Sequence, residues 1–461
     1  MMELRNYQSA AVASIRQAYA ERTRRVLLVL PTGAGKTIVF CYIGAAVADR
    51  GKRVVVLVHR VELLEQVAGA LNKMGVAHGI IAAGHKPKDA AVQIASIQTL
   101  ARRLAAGYLP PDLVIVDEAH HAVAGTWAKV MASCPSSFVL GVSATPARLD
   151  GRGLGSAFGA LIEGPTIAEL TAAGHLVPAR VFAPPERLDL SRVRTRAGDY
   201  DAAQLADLMS GGTLIGDAVA HYKRLADGRP AVAFGASIEH SQLVAGRFRD
   251  AGVAAAHVDG TTDPAERRRL IAALGTGELQ VLSNVDLVGE GVDIPAVGAV
   301  ILLRPTRSVA RYLQAVGRAL RPIAGKADAI VLDHAGATWE HGLPDAPRVW
   351  SLSDQPRRAQ QRAEAAGERL RQCEACGAFE PPGTPICTTC GASLTPSPAE
   401  IREFEGQLIE RQRQEVERVR RMNYGEVERW ANTPDRLRMA ALARGYNPGW
   451  VKHRLSELKI D

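Results

Sequence analysis

Two short segments carry the residue types that phosphate chemistry requires. Pro31-Thr32-Gly33-Ala34-Gly35-Lys36-Thr37 follows the apolar run Val26 to Leu30. Its glycines let backbone N–H groups approach phosphate oxygens closely, and a helix opening there points its positive end at the same anion. Lys36 can reach the β- and γ-phosphates, and the Thr37 hydroxyl can ligate Mg2+. The strict pattern has Gly five residues before Gly35, where this chain has Leu30. A second apolar run, Leu113 to Val116, leads into Asp117-Glu118-Ala119-His120. Asp117, at a strand end, can hold Mg2+; Glu118 can orient and deprotonate a water. Alone, each segment also reads as a Gly-rich turn or a solvated strand end. Together, at the carboxyl edge of one parallel sheet, they make a nucleotide-hydrolysis site.

A third constellation lies far downstream. If Arg311 to Arg321 is one helix, Gln314, Arg318 and Arg321 fall at i, i+4 and i+7 on one face. Such a face meets solvent or an anion, and a transferring γ-phosphate is a suitable anion. An arginine supplied there typically contributes about 10³ to 10⁵ in rate.

The fourth is a set of thiols. Cys41 and Cys134 stand alone and read as inert core residues. Cys373-x-x-Cys376-Gly377 and Cys387-x-x-Cys390-Gly391 are two turns with ten residues between them. Four thiolates at this spacing suit a structural, tetrahedral Zn2+, with iron or a redox dithiol as rivals. So short a loop has no room for a core, so metal binding would supply its folding energy.

Elements that position these groups follow from periodicity. Runs at Val26–Leu30, Val54–Val58, Val92–Ala95, Leu113–Val116 and Phe138–Val142 alternate with helix-length segments. A second set follows at Ala231–Phe234, Ala254–Val258, Val281–Ser283, Ala299–Leu303 and Ala329–Leu332. The alternation is βαβ and predicts α/β architecture, two tandem parallel-sheet domains covered by helices. Arg148–Gly164 reads as a loop. The expected divisions are a first domain at 1–165, a second at 185–345, a linker at 346–372, a zinc ribbon at 373–391 and a helical tail at 395–461. In the tail, Thr433-Pro434 should start a helix and Gly445 should end it. Trp430, Tyr446 and Trp450 lie among Arg444, Lys452, His453 and Arg454; they would either stack bases or form the core of a small helical unit.

The net charge of +8 favours polyanionic partners without proving one. No apolar run approaches the roughly 18 residues of a membrane span, and the first residues lack an export signal. A cytoplasmic location is expected and a membrane partner is not.

In this order, the segments resemble the motifs of superfamily 2 helicases. Leu4-Arg5-Asn6-Tyr7-Gln8 resembles the adenine-reading segment, with Gln8 on the base and Arg5 nearby. Val58-His59-Arg60-Val61-Glu62-Leu63 and Ser96-Ile97-Gln98-Thr99-Leu100 resemble motifs Ia and Ib. Ser143-Ala144-Thr145-Pro146 resembles motif III, which couples hydrolysis to strand binding. Phe234 to Ser241 resembles motif IV, with Asp259-Gly260-Thr261-Thr262 and Glu266-Arg267 after it. Ser283 to Pro295 resembles motif V, and Gln314 to Arg321 motif VI. The four cysteines and Gly-Tyr-Asn-Pro-Gly-Trp near the C-terminus resemble the RadD-like helicases associated with DNA repair.

The resemblance implies two RecA-like domains hydrolysing ATP with Mg2+ between them. Nucleotide contacts would be Arg5, Gln8, residues 31–37, Gly291 and Asp293. Nucleic-acid contacts would be His59, Arg60, Gln98, Thr99, Ser143, Thr145, Gly260, Arg267, Asn284 and Glu290. The implied partners are single-stranded or branched DNA, with RNA as alternative, and single-strand-binding or recombination proteins. A non-unwinding ATPase switch and a zinc-ribbon adaptor gated by ATP are the competing functions.

Overall fold

The computed structural model describes residues 3–58, 61–121, 125–146, 153–184, 190, 193–196, 199–201, 204–205, 212–285, 294, 296–353, 370–394, 417–446 and 448–458. The chain divides into two compact units, Met1–Gly383 and Thr384–Asp461.

The first unit contains two sheets. The strands of the first are β1 (Arg25–Val29), β2 (Val54–Val58), β3 (His78–Ile81), β4 (Val92–Ser96), β5 (Leu113–Asp117), β6 (Phe138–Ser143) and β7 (Ala160–Glu163), in the order β3-β4-β2-β5-β6-β1-β7 and all parallel. Its central strands are apolar at nearly every position because helices cover both faces. Side chains alternate between two cores: Val26, Leu28, Val54, Val56, Leu113 and Ile115 face one, while Leu27, Val29, Val55, Leu57, Val114 and Val116 face the other. The helices are α1 (Asn6–Ala20), α2 (Lys36–Ala48), α3 (Val61–Lys73), α4 (Ile97–Ala105), α5 (Gly125–Ala132) and α6 (Ile167–Ala172).

Register explains the site. In β6, Ser143 lies opposite Val29 of β1, and Val142 lies opposite Asp117 of β5. Residues 31–37 and Asp117 therefore leave the sheet at one level, with β6 between them.

The second sheet runs β12-β13-β11-β14-β15-β8-β17-β16. Its strands are β8 (Ala179–Phe182), β11 (Ala231–Phe234), β12 (Ala255–Val258), β13 (Val281–Asn284), β14 (Ala299–Leu302), β15 (Ala329–Asp333), β16 (Arg371–Gln372) and β17 (Ala378–Glu380). A small hairpin, β9 (Thr195–Arg196) with β10 (Asp199–Tyr200), lies apart. Helices α7 (Gly212–Leu225), α8 (Ile238–Asp250), α9 (Pro264–Thr276), α10 (Val309–Gly317) and α11 (Ala337–His341) complete this domain. Helix α9 shows why the boundaries fall where they do. Asp263 caps its first N–H groups, Pro264 occupies its first turn, and Gly277 ends it at φ 82°.

All ten anticipated strands form. The segment read as a loop holds β7, which pairs in parallel with β1. Strand β8, which falls between the expected bounds of the two domains, pairs with β15 and also takes antiparallel β17 from the cysteine-rich segment. Past the second domain the chain returns to the first. Trp350 and Leu352 pack against its core, and Gly155 N–H donates to Leu352 O at 2.8 Å. A Cβ on Gly153 would lie 2.2 Å from that same carbonyl oxygen. The strap requires glycine there.

In the second unit, α12 (Tyr424–Trp430), α13 (Pro434–Arg444) and α14 (Pro448–Leu458) enclose Val419, Val427, Ala431, Leu437, Ala440 and Ala443. Thr433 caps α13, Pro434 opens it and Gly445 ends it in the left-handed conformation, as expected. Trp430, Tyr446 and Trp450 pack partly buried against this core. Residues 354–369 of the linker expected at 346–372, and the start of the tail at 395–416, lie outside the described residues. Among the described residues, no helix is long and apolar enough to cross a membrane.

Candidate functional site

The phosphate loop sits between β1 and α2. Gly33 and Gly35 adopt φ 91° and 80°, a region open to glycine at little cost. Close packing adds a second reason. A Cβ on Gly35 would meet Gln8 Nε2 at 2.6 Å, and one on Gly33 would meet Leu176 Cδ2 at 3.0 Å and Arg321 Cγ at 3.3 Å. No side chain caps α2 at Gly35, so the N–H groups of its first turn point along the axis toward the loop.

Lys36 is partly buried there and donates to Leu30 O at 3.2 Å. Burial lowers its proton affinity most; Glu118 and Asp117 raise it, and Arg318 and Arg321 lower it further. One half-buried ammonium thus feels two acids from its own domain and two guanidinium groups from the other.

Asp117 ends β5 and is buried, its Oδ1 accepting Glu118 N–H at 3.1 Å. Glu118 has φ 51°, one of two non-glycine residues with positive φ among those described. That conformation costs about 1–2 kcal/mol for an L-residue and turns the carboxylate across the interdomain cleft. Gln314 Nε2 donates to Glu118 Oε2 at 3.4 Å, and His120 Nδ1 lies 3.5 Å from the same oxygen.

The arginine segment differs from expectation. Helix α10 ends at Gly317; Arg318 is its C-cap and Arg321 lies beyond a turn. The shared helical face is replaced by a turn that still brings both guanidinium groups to Lys36. Close interdomain approach accompanies the break: a Cβ on Gly317 would lie 2.5 Å from Thr32 Cβ. Arg318 is buried, and burial pulls the Arg321 guanidinium down to about 10.

The first segment packs on the phosphate loop. Gln8 is buried, with Oε1 accepting from Arg5 N–H at 3.0 Å and Nε2 donating to Ala34 O at 3.2 Å. Arg5 Nη1 donates to Tyr7 OH, which itself donates to Ala34 O at 2.9 Å. These bonds anchor the phosphate loop from below.

Expected nucleic-acid contacts divide into two groups. Gln98 is exposed and Thr99 partly so at the start of α4, capped by Ser96, and Gly260 is exposed. Four others face inward. Ser143 Oγ donates to Thr145 O at 2.6 Å and both residues are fully buried. Asn284 Nδ2 donates to Ala233 O at 2.9 Å. Arg267 Nη2 donates to the carbonyls of Asp259, Gly260 and Thr262, which shapes the loop rather than exposing the guanidinium. The side chains of Ser143 and Asn284, at strand ends, and of Arg267, on α9, bond within the protein, a preference that spacing alone does not reveal. His59, Arg60, Glu290, Gly291 and Asp293 lie outside the described residues.

Two linkages were missed from sequence. His120 Nδ1 lies 3.5 Å from Ser143 Oγ as well as from Glu118, tying the acidic strand end to the Ser143–Thr145 turn. Ser283, Ser241, His257 and Asp259 form a hydrogen-bonded chain with steps of 2.7, 2.8 and 3.0 Å. Asp259 also accepts from the N–H and hydroxyl of Thr261, and these bonds hold its carboxyl well below the usual range. Scattered Ser and His residues give no signal until folding joins them.

The sulfur atoms of Cys373, Cys376, Cys387 and Cys390 all lie within 4.8 Å of one another. Tetrahedral Zn–S bonds of about 2.3 Å place sulfurs roughly 3.8 Å apart, so the donor set fits. The two turns repeat one geometry. Gly377 N–H donates to Cys373 O and Gly391 N–H to Cys387 O, with glycine φ of 78° and 76°.

The family described as "Type III restriction enzyme, res subunit" matches residues 1–148, and "Helicase conserved C-terminal domain" matches residues 216–322. A 51.5 kDa protein of Lactococcus phage (isolate 7-9) is 32% identical over 401 residues, covering 86% of this chain and 84% of that protein. IRC3 of Saccharomyces cerevisiae, named as an ATP-dependent helicase, is 30% identical over 370 residues; the match covers 76% of this chain and 54% of IRC3, about half the relative's length. In fold, the chain resembles an HsdR fragment of a type I restriction enzyme from Vibrio vulnificus YJ016, with TM-score 0.60, 20% identity, and 76% and 67% of the two chains covered. It also resembles the Type ISP restriction-modification enzyme LlaBIII, with TM-score 0.52, 18% identity, and 72% and 28% covered. With two RecA-like lobes and both helicase family models matched, the chain belongs to the superfamily 2 helicases and is an ATP-driven, nucleic-acid-dependent motor enzyme.

Proposed function

We propose that this motor is a DNA translocase or helicase serving DNA repair or phage DNA metabolism in the cytoplasm. The observation that carries its mechanism is the meeting of Lys36, Asp117 and Glu118 with Gln314, Arg318 and Arg321 across two domains. Residues 31–37 would hold the triphosphate, and Thr37 with Asp117 would hold Mg2+, which neutralises charge developing on the phosphates. Glu118 takes the proton of the attacking water. Arg318 and Arg321 stabilise the γ-phosphate from the other domain. Cleavage removes the group that both domains grip, so their closed arrangement loses its differential advantage. Gln98, Thr99 and the loop at Gly260 would grip the strand backbone, making binding salt-sensitive. The choice of DNA rests on the RadD-like segments and on a structural neighbour, LlaBIII, described as bound to DNA.

ATPase rate measured with single-stranded DNA, duplex DNA and RNA, beside strand displacement, tests this. DNA should stimulate hydrolysis more than RNA, and wild type but not Lys36→Ala should displace a strand. Stimulation by RNA alone would overturn the DNA assignment; ATPase without displacement would make the chain a switch or translocase. Biological activity surviving in Lys36→Ala would favour an adaptor.

The four cysteines would hold one Zn2+. Purified protein should release about one equivalent to a chelator, and Cys373→Ser with Cys376→Ser should abolish that. Protease should then cut within 381–391, since metal supplies this loop's folding energy. Absence of zinc in a preparation whose thiols stay protected from modification would count against the assignment.

A further inference from the structure

Lys326 lies in the turn after Arg321, and none of the motifs includes it. Its neighbours Pro322, Ile323, Ala324 and Gly325 are exposed, yet its own side chain folds inward. Nζ donates to Arg321 O at 2.8 Å and to Val297 O at 2.6 Å. Val297 follows the motif V segment, so one ammonium joins the exits of both ATP-facing segments of the second domain. The preceding carbonyl is fixed from the other side, where Val177 N–H donates to Leu320 O at 2.9 Å. The backbone carrying Arg321 is therefore held at two successive peptide units. Lysine is an expensive choice here. Burial, then the cations Arg321 and Arg229, lower its affinity for the proton to about 8, against one opposing acid, Asp328. Asp328 is already engaged by Arg229 and Arg180. A surface loop gains nothing from a desolvated cation beside two arginines. What the cation supplies is charge-assisted donation, roughly twice as strong as a neutral bond, to the carbonyls of Val297 and Arg321.

We propose that Lys326 is a positioning residue for ATP hydrolysis, fixing the Arg321 main chain against the motif V exit so that the guanidinium is held at the γ-phosphate. This rests on the reading of Arg321 given above. A misplacement of about 1 Å in such a group can cost on the order of 10²-fold.

The test is a double-mutant cycle on the full chain with saturating DNA. Lys326→Met should lower kcat about 10- to 100-fold with KM for ATP and nucleotide affinity within about 3-fold. In the Arg321→Ala background the same change should add nothing, because the group being positioned is gone. Lys326→Arg, which keeps two donors and its charge, should restore kcat to within about 3-fold. Its kcat should also persist to higher pH than that of wild type, whose ammonium is lost near pH 8. Thermal melting separates folding damage from loss of positioning. Additive losses in the cycle, or a Lys326→Met enzyme with wild-type kcat, overturn the proposal while leaving the site reading intact. An Arg321→Ala enzyme with normal kcat overturns both.

Discussion

Glu118→Gln should reduce ATP turnover by about 10² to 10⁴-fold, the usual contribution of a general base. ATP affinity should change by no more than a few-fold, because the substitution preserves shape and the Lys36 environment retains Asp117. The structure makes the expectation specific. Glu118 is held at φ 51° and its carboxylate meets Gln314 from the opposite domain. A glutamine can keep that contact but cannot accept the proton of water. The variant should therefore stall with ATP bound and both domains engaged, and its affinity for DNA in ATP should equal or exceed that of wild type. Single-turnover hydrolysis and DNA binding with ATP measure the two effects. Turnover within 10-fold of wild type would remove Glu118 from the proton-transfer role.

Arg318→Ala and Arg321→Ala should each lower kcat by about 10³-fold or more. Neither guanidinium has the solvation of a surface arginine; Arg318 is buried and Arg321 is pulled down to about 10 by burial. Holding such cations near Lys36 opposes folding until a polyanion arrives, so the penalty is converted into nucleotide-dependent closure. Both variants should accordingly melt at or above the wild-type temperature without nucleotide and gain less from an ATP analogue. Differential scanning with and without the analogue reads this directly. Equal stabilisation of wild type and variants would place the arginines outside the phosphate site.

Much of this was legible in sequence where one residue type dominates a run. Val54 to Val58 and Leu113 to Val116 could scarcely be anything but strands buried on both faces. Strands β3 and β7 were not legible because they lie at the sheet's edges. His78–Ile81 alternates partly buried with buried positions, and Ala160–Glu163 has no fully buried residue. Such short, mixed segments carry no periodic signal. Glycine spacing located the phosphate loop, yet the spacing of Gln314, Arg318 and Arg321 suggested a helix that stops at Gly317. Spacing assumes a continuing element; the contact of Gly317 with Thr32, which comes from a domain nearly three hundred residues away, lies beyond any local rule. Inward-turned Ser143 and Asn284 show the same limit, since a residue type near a strand end does not say which side of the backbone it will use.

The return of Trp350 and Leu352 to the first domain has a consequence for biosynthesis. A chain emerging from its N-terminus finishes the first sheet early, but the seam beside Leu154 and Phe158 stays open until residue 353 has left the exit tunnel. In the interval the whole second domain must be made. The first domain therefore waits, incomplete and with apolar surface showing, for a segment that arrives more than 180 residues after its last strand. Fragments ending at residue 345 should inherit that open seam permanently, and self-association of such fragments would follow from it.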